Sequence, residues 1–175
     1  MAWLRRLVEL VAGPGVPPGF TGTLDAEERV LAVAGDLVAT SLGLWLPEGD
    51  GVRRAGWHLI SKATWGNGTL TVTEAAERGA AGEAVLLADL PARRFALERP
   101  GRLPAVVHAR VTGSIRSRHR RELPGGGVWF VQRVVPGVGI VLQVRADPGT
   151  DPDAVRTLAS EVAEKLRVAR DGPVG

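Results

Sequence analysis

Apolar positions change their period along this chain. Near the start Trp3, Leu4, Leu7, Val8 and Val11 recur at helical spacing with Arg5, Arg6 and Glu9 between them, which predicts a short amphipathic helix over residues 2–12. Gly13 ends it, and the following Pro14-Gly15-Val16-Pro17-Pro18-Gly19 reads as a linker, extended where Pro dominates. From Arg29 onward the period falls towards two. Short apolar and β-branched runs bounded by turn residues predict strands near 29–34, 37–46, 52–64, 69–74, 83–89 and 93–99. The clearest is Thr69-Leu70-Thr71-Val72-Thr73, which alternates strictly after the turn Gly66-Asn67-Gly68 and so directs Leu70 and Val72 to the core. A turn over 47–51 and the tight Gly35-Asp36 join these runs as an antiparallel meander.

Pro100 and Gly101 break this pattern. Leu103, Val106, Val107 and Val111 then follow helical spacing, which predicts a helix over about 104–115. Apolar runs at 128–135 and 139–146, joined by Pro136-Gly137-Val138, read as a hairpin, with a further strand expected near 117–123. The last helix carries the strongest local signals: Asp151 as N-cap, Pro152 at the first helical position and Asp153 against the positive end of the dipole. Its apolar stripe is Val155, Leu158, Ala159, Val162 and Leu166, one-sided, so this helix is expected to lie against a sheet. The whole reads as an α+β, mainly β fold. Residues 1–19 form a helix and linker, 20–170 a single domain ending in the amphipathic helix, and 171–175 a tail.

Composition narrows the class. With 175 residues, 45% hydrophobic and 23% charged, the chain has ordinary globular usage, and its 23 Gly and 12 Pro fit many turns between short strands. Only Lys62 and Lys165 are lysines among 22 basic residues, a bias typical of a GC-rich genome of the actinobacterial kind. A formal net charge of +3 is too small to imply nucleic-acid binding by itself. Zero Cys excludes a disulfide, a thiol nucleophile and a thiolate metal site, and fits a reducing cytoplasm. The apolar stretch after Arg5 and Arg6 is interrupted by Glu9 and lacks the pattern of a secretory signal, and no window has the length of a membrane span, so a soluble cytoplasmic protein is expected.

The segments Glu28-Arg29-Val30-Leu31-Ala32, then 38–46 with Thr40 and Trp45, then 54–65 with Trp57-His58-Leu59-Ile60, then Gly68-Thr69-Leu70-Thr71-Val72-Thr73, resemble the opening strands of bacterial pleckstrin-homology-like (PH-like) domains. The resemblance covers roughly residues 27–99 and rests on core-packing patterns. It implies an antiparallel PH-like β-sandwich or partly open barrel with a C-terminal amphipathic helix, and a role in binding. Two departures accompany it. The family reaches its closing helix after seven strands, whereas here a helix near 104–115 is inserted and a hairpin follows it. Lipid-binding members gather basic residues around the first strand pair, where this chain has the short, acidic Gly35-Asp36.

Candidate chemistry is sparse. His58, His108 and His119 have no spacing suited to a metal site, and Ser114 and Ser117 near His108 and His119 lack a nucleophile elbow. Gly125-Gly126-Gly127 lacks the Lys-Ser/Thr of a phosphate loop and reads as a turn. Asp147, Asp151 and Asp153 lack the Gly and terminal Glu of a calcium loop. The sharpest feature is Arg116, Arg118, His119, Arg120 and Arg121. In a strand, Arg116, Arg118 and Arg120 share one face and Arg121 turns away, a pattern that reads either as a charge-protected sheet edge or as a surface for anions. No stacking aromatic is interleaved with it in sequence. Trp45, Trp57, Trp65 and Trp129 lie in apolar strand contexts and read as core or rim.

No cofactor, metal or catalytic residue is expected. The leading expectation is a non-enzymatic binding or scaffold module for a protein partner, docking through Trp3, Leu4, Leu7, Val8 and Val11 or through the basic segment. The alternative is nucleic-acid or polyanion binding through the basic segment, and a small-ligand carrier or an enzyme with a site assembled from distant residues comes third.

Overall fold

A computed structural model describes residues 14–172. The predicted helix over 2–12, with Trp3, Leu4, Leu7, Val8 and Val11, lies outside the described residues. The fold is α+β and mainly β. Where the sequence reading has one domain over 20–170, contacts gather into two compact units. The first takes residues up to Glu74 plus Pro91–Gly113; the second takes Ala75–Leu90 and the chain from Ser114 onward.

The first unit opens with β1 (Val30–Ala34), β2 (Leu37–Thr40), β3 (Gly43–Glu48) and β4 (Gly51–Gly56), an antiparallel sheet in that order. The expected single strand over 37–46 is two strands. Thr40 Oγ1 accepts the amides of Leu42 and Gly43, both at 3.2 Å, and so closes a tight turn that apolar periodicity does not reveal. The expected strand over 52–64 is also split, by a 3₁₀ turn at Trp57–Leu59. This turn puts both Trp57 and Ile60 in the core, which strict alternation forbids, and the Trp57 indole donates to the Thr40 carbonyl at 3.0 Å.

After β5 (Ile60–Gly66) comes β6 (Thr69–Ala81), longer than predicted, then β7 (Ala84–Asp89) and β8 (Arg93–Ala96). The first part of β6 pairs with β5 on one side and β8 on the other. Leu70 and Val72 point to the core as expected, each 1% exposed and each worth roughly 1.5–3 kcal/mol of burial. Helix α1 (Leu103–Gly113) completes this unit, with Leu103, Val107 and Val111 buried at four-residue spacing. One core unites Leu44 and Leu46 of the first sheet, Ile60, Leu70 and Val72 of the second, and this helix face. The helix that the sequence reading treats as inserted therefore follows the strands of its own unit.

In the second unit β9 (Ile115–Leu123), β10 (Gly126–Val135) and β11 (Gly139–Ala146) form the antiparallel run expected from the sequence. β11 then pairs with β7 in parallel, Val144 opposite Leu86, and β7 pairs with the second part of β6. This parallel junction departs from the expected meander. Helix α2 (Pro152–Asp171) starts on the predicted cap: Asp151 accepts the amides of Asp153 and Ala154 at 2.9 and 3.2 Å. It packs over Val128, Phe130, Leu142 and Val144. Its buried residues are Val155, Ala159 and Ala163; Leu166, expected in the stripe, is 37% exposed. Leu158 and Val162 pack, partly buried, against the same core, so four of the five residues of the predicted stripe face the sheet and Leu166 is left beside it.

Candidate binding site

The basic segment lies on β9, which pairs only with β10 among the described residues and so ends the sheet of its unit. Cross-strand register sorts its side chains. Arg120 opposes Trp129 and Arg118 opposes Val131 on one face, while His119 opposes Phe130 and Arg121 opposes Val128 on the face that carries α2. Arg116 stands at a bulge, where the register shifts between Gln132 and Arg133. Arg116, Arg118, His119, Arg120 and Arg121 are all exposed.

These arginines are not equivalent. Arg120 donates to Asp147 Oδ2 at 2.6 Å and to Glu122 Oε1 at 2.7 Å, which raises its own pKa. Asp147 is held below the usual carboxylate range by this arginine and by the Gly127 amide at 3.0 Å. A Cβ at Gly127 would displace the Arg120 guanidinium from its present place. Arg118 is placed differently. Its guanidinium carbon lies 5.2 Å from the centre of the Trp129 ring, and that of Arg120 lies 5.4 Å from the same centre. Such stacking biases the planar fork towards one orientation. Arg116, Arg118 and Arg121 have no carboxylate partner among the described residues.

The interleaved aromatic that is absent from the linear segment is therefore supplied by Trp129, and two guanidiniums converge on it. The signal was present in the sequence only as a Trp in a neighbouring apolar run, because strand register decides which side chains meet. Arg145, directly opposite Trp129 on β11, adds another cation, paired to Asp89 at 3.6 Å. On the same face Arg133 is buried beside Ser114 Oγ at 2.5 Å, and burial together with the Arg145 charge pushes its pKa down to about 10.

His108 lies on α1 in the first unit, whereas Ser114, Ser117 and His119 belong to the second. Ser117 donates to Gln132 Oε1 at 2.7 Å. Of the three glycines expected to form a turn, only Gly125 does so, with Pro124 and at φ of 85°, while Gly126 and Gly127 open β10 and pair with Leu123 and Glu122. Among the described residues, no group of three or more His, Cys, Asp or Glu is arranged to hold a metal ion. No helix among them is long and apolar enough to cross a membrane.

Two concave surfaces complete the picture. In the first unit Trp65, 42% exposed, borders a groove of about 700 Å³ with Leu70, Pro104 and His108. In the second a groove of about 640 Å³ has Leu142 and Ala163 in it, flanked by Val138, Ile140 and Leu166, with Glu83, Arg167 and Arg170 as its charged members. Val138 is 72% and Ile140 54% exposed. Sequence reading missed this groove, although an apolar residue at a hairpin tip, Val138 in Pro136-Gly137-Val138, was a visible signal because such tips are normally polar.

No protein-family model matches this sequence, and no curated protein or solved structure matches it.

Proposed function

We propose that the chain is a non-enzymatic binding module for a protein partner, acting in the cytoplasm of an actinobacterium. The observation that carries this is the apolar groove of the second unit, where Val138, Ile140 and Leu166 stay exposed beside charged Arg167, Arg170 and Glu83. Contiguous apolar surface with a polar border is the usual mark of a protein-contact site. A photo-crosslinking residue placed at Val138 is expected to trap a discrete partner that the Ile140→Ser/Leu166→Ser variant loses at unchanged melting temperature. The same crosslinked products from both proteins sink this reading.

A PH-like assignment of the first unit goes with it. Four strands, then three (β5, the first part of β6, and β8), then α1 agree with the seven-strand order that the resemblance implies. The cysteine-free composition supports a reducing compartment, and the scarcity of Lys supports the actinobacterial source. A second reading is anion binding on β9, favoured by Arg118 stacked on Trp129 with no carboxylate partner among the described residues. A titration of heparin or single-stranded RNA that gives no salt-dependent affinity removes it for those ligands.

A further inference from the structure

β9 combines two properties that are separate on most sheet edges. It is nine residues long and pairs on one side only among the described residues, so alternate backbone N–H and C=O groups along its outer side are open to another strand. Its uncompensated cations also stand on both faces: Arg118 with Trp129 on one, Arg121 with Val128 on the other, and Arg116 at the bulged end. A nucleic acid lying across the sheet would use one face and leave Arg121 idle. A ligand running along the edge itself uses both. An extended polypeptide does this, because its side chains alternate between faces with the same two-residue repeat of about 6.8 Å as the strand it joins.

We infer that β9 is a strand-addition site for an extended acidic segment of a partner protein, which pairs with the outer backbone of β9 and sets carboxylates against Arg118 on one face and Arg121 on the other. This rests on the anion-binding reading of β9 and is independent of the apolar groove. Arg120 takes no direct part, since Asp147 and Glu122 already hold it; its role is to pack with Arg118 on the Trp129 ring. Arg118 is exposed and stacked on Trp129, and a guanidinium so placed suits a two-pronged contact with carboxylate. The positive charge that repels a second copy of the same edge is the charge that admits an acidic strand, so edge protection and partner selection use the same residues.

The test uses the full chain and three probes in low salt: a Glu-rich peptide of the length of β9 with Glu on both faces, the same peptide with alternate amides N-methylated in each of the two registers, and single-stranded RNA of equal charge. The unmodified peptide is expected to bind with salt-dependent affinity. One of the two methylated registers should bind about tenfold more weakly, as expected for losing outward backbone hydrogen bonds. Slowed hydrogen exchange at alternate β9 amides should accompany binding. Arg116→Gln/Arg118→Gln/Arg121→Gln is expected to lose peptide binding while its circular dichroism is unchanged. If both methylated peptides bind as well as the parent, charge alone holds the peptide and strand addition is wrong. Tighter binding of RNA than of the peptide overturns the choice of partner, and no binding of any probe removes the anion-binding reading along with it.

Discussion

Glu28 is a carboxylate whose side chain has no exposed surface, and four donors converge on it. Thr40 Oγ1 donates at 2.5 Å, the Trp45 indole at 2.9 Å, the Arg54 guanidinium at 2.5 Å and the Asp25 amide at 3.1 Å. Burial alone would raise its pKa, but these hydrogen bonds and the Arg54 charge outweigh it, so the folded value lies below the ordinary 4.5. A carboxyl with a depressed folded pKa contributes stability that is fully present above its unfolded value and is lost as pH falls through the folded one. Glu28→Gln leaves Arg54 and Trp45 facing an amide and is expected to cost about 2–3 kcal/mol at neutral pH. Urea unfolding from neutral pH down through the carboxylate range should show a flatter acid limb in the variant; an identical pH profile contradicts the assignment. The sequence showed Glu28 only as the first residue of a strand motif. Nothing local marks an acid as buried when its partners lie at Thr40, Trp45 and Arg54.

At the scale of the element, helix α2 was the most legible part of the chain, since capping chemistry acts within one turn. Asp151→Ala removes the acceptor for two amides and should lower stability by about 1 kcal/mol, while Asp151→Asn should stay within a few tenths of the wild type. Chemical denaturation followed at the helix signal checks both. Strands were legible where alternation was clean, as at Leu70 and Val72. They were misread where a side chain overrode the pattern, as when the Thr40 hydroxyl divided β2 from β3. The stripe of α2 was misplaced at Leu166 because periodicity names the apolar side chains of a helix but not which of them the sheet reaches.

At the scale of the whole molecule, a formal net charge of +3 implies little, and what matters is that β9 concentrates cations without carboxylate partners among the described residues. Replacing Arg116, Arg118 and Arg121 by Gln changes the net charge by as much as replacing the exposed Arg78, Arg99 and Arg110. On a heparin column the first triple variant is expected to elute at distinctly lower salt than the second. Equal shifts mean that retention follows total charge and not the β9 surface. The division into two units belongs to this scale as well. No linker or change of composition marks it, because β6 continues from Thr69 to Ala81 while its pairing partners change from β5 and β8 to β7.

By itself the sequence determined what depends on neighbours along the chain: the mainly β class, the two described helices and the Asp151 cap, the glycine turns, and the basic character of 116–121. Tertiary structure decided what depends on register and on pairings between distant segments. The β7–β11 junction, the stacking of Arg118 and Arg120 on Trp129, the neutralisation of Arg120 by Asp147 and the exposure of Ile140 and Leu166 all arise there. The physical reason is that strand propensity and alternation are local, whereas the partner a strand meets is set by hydrogen-bond register and burial across the fold.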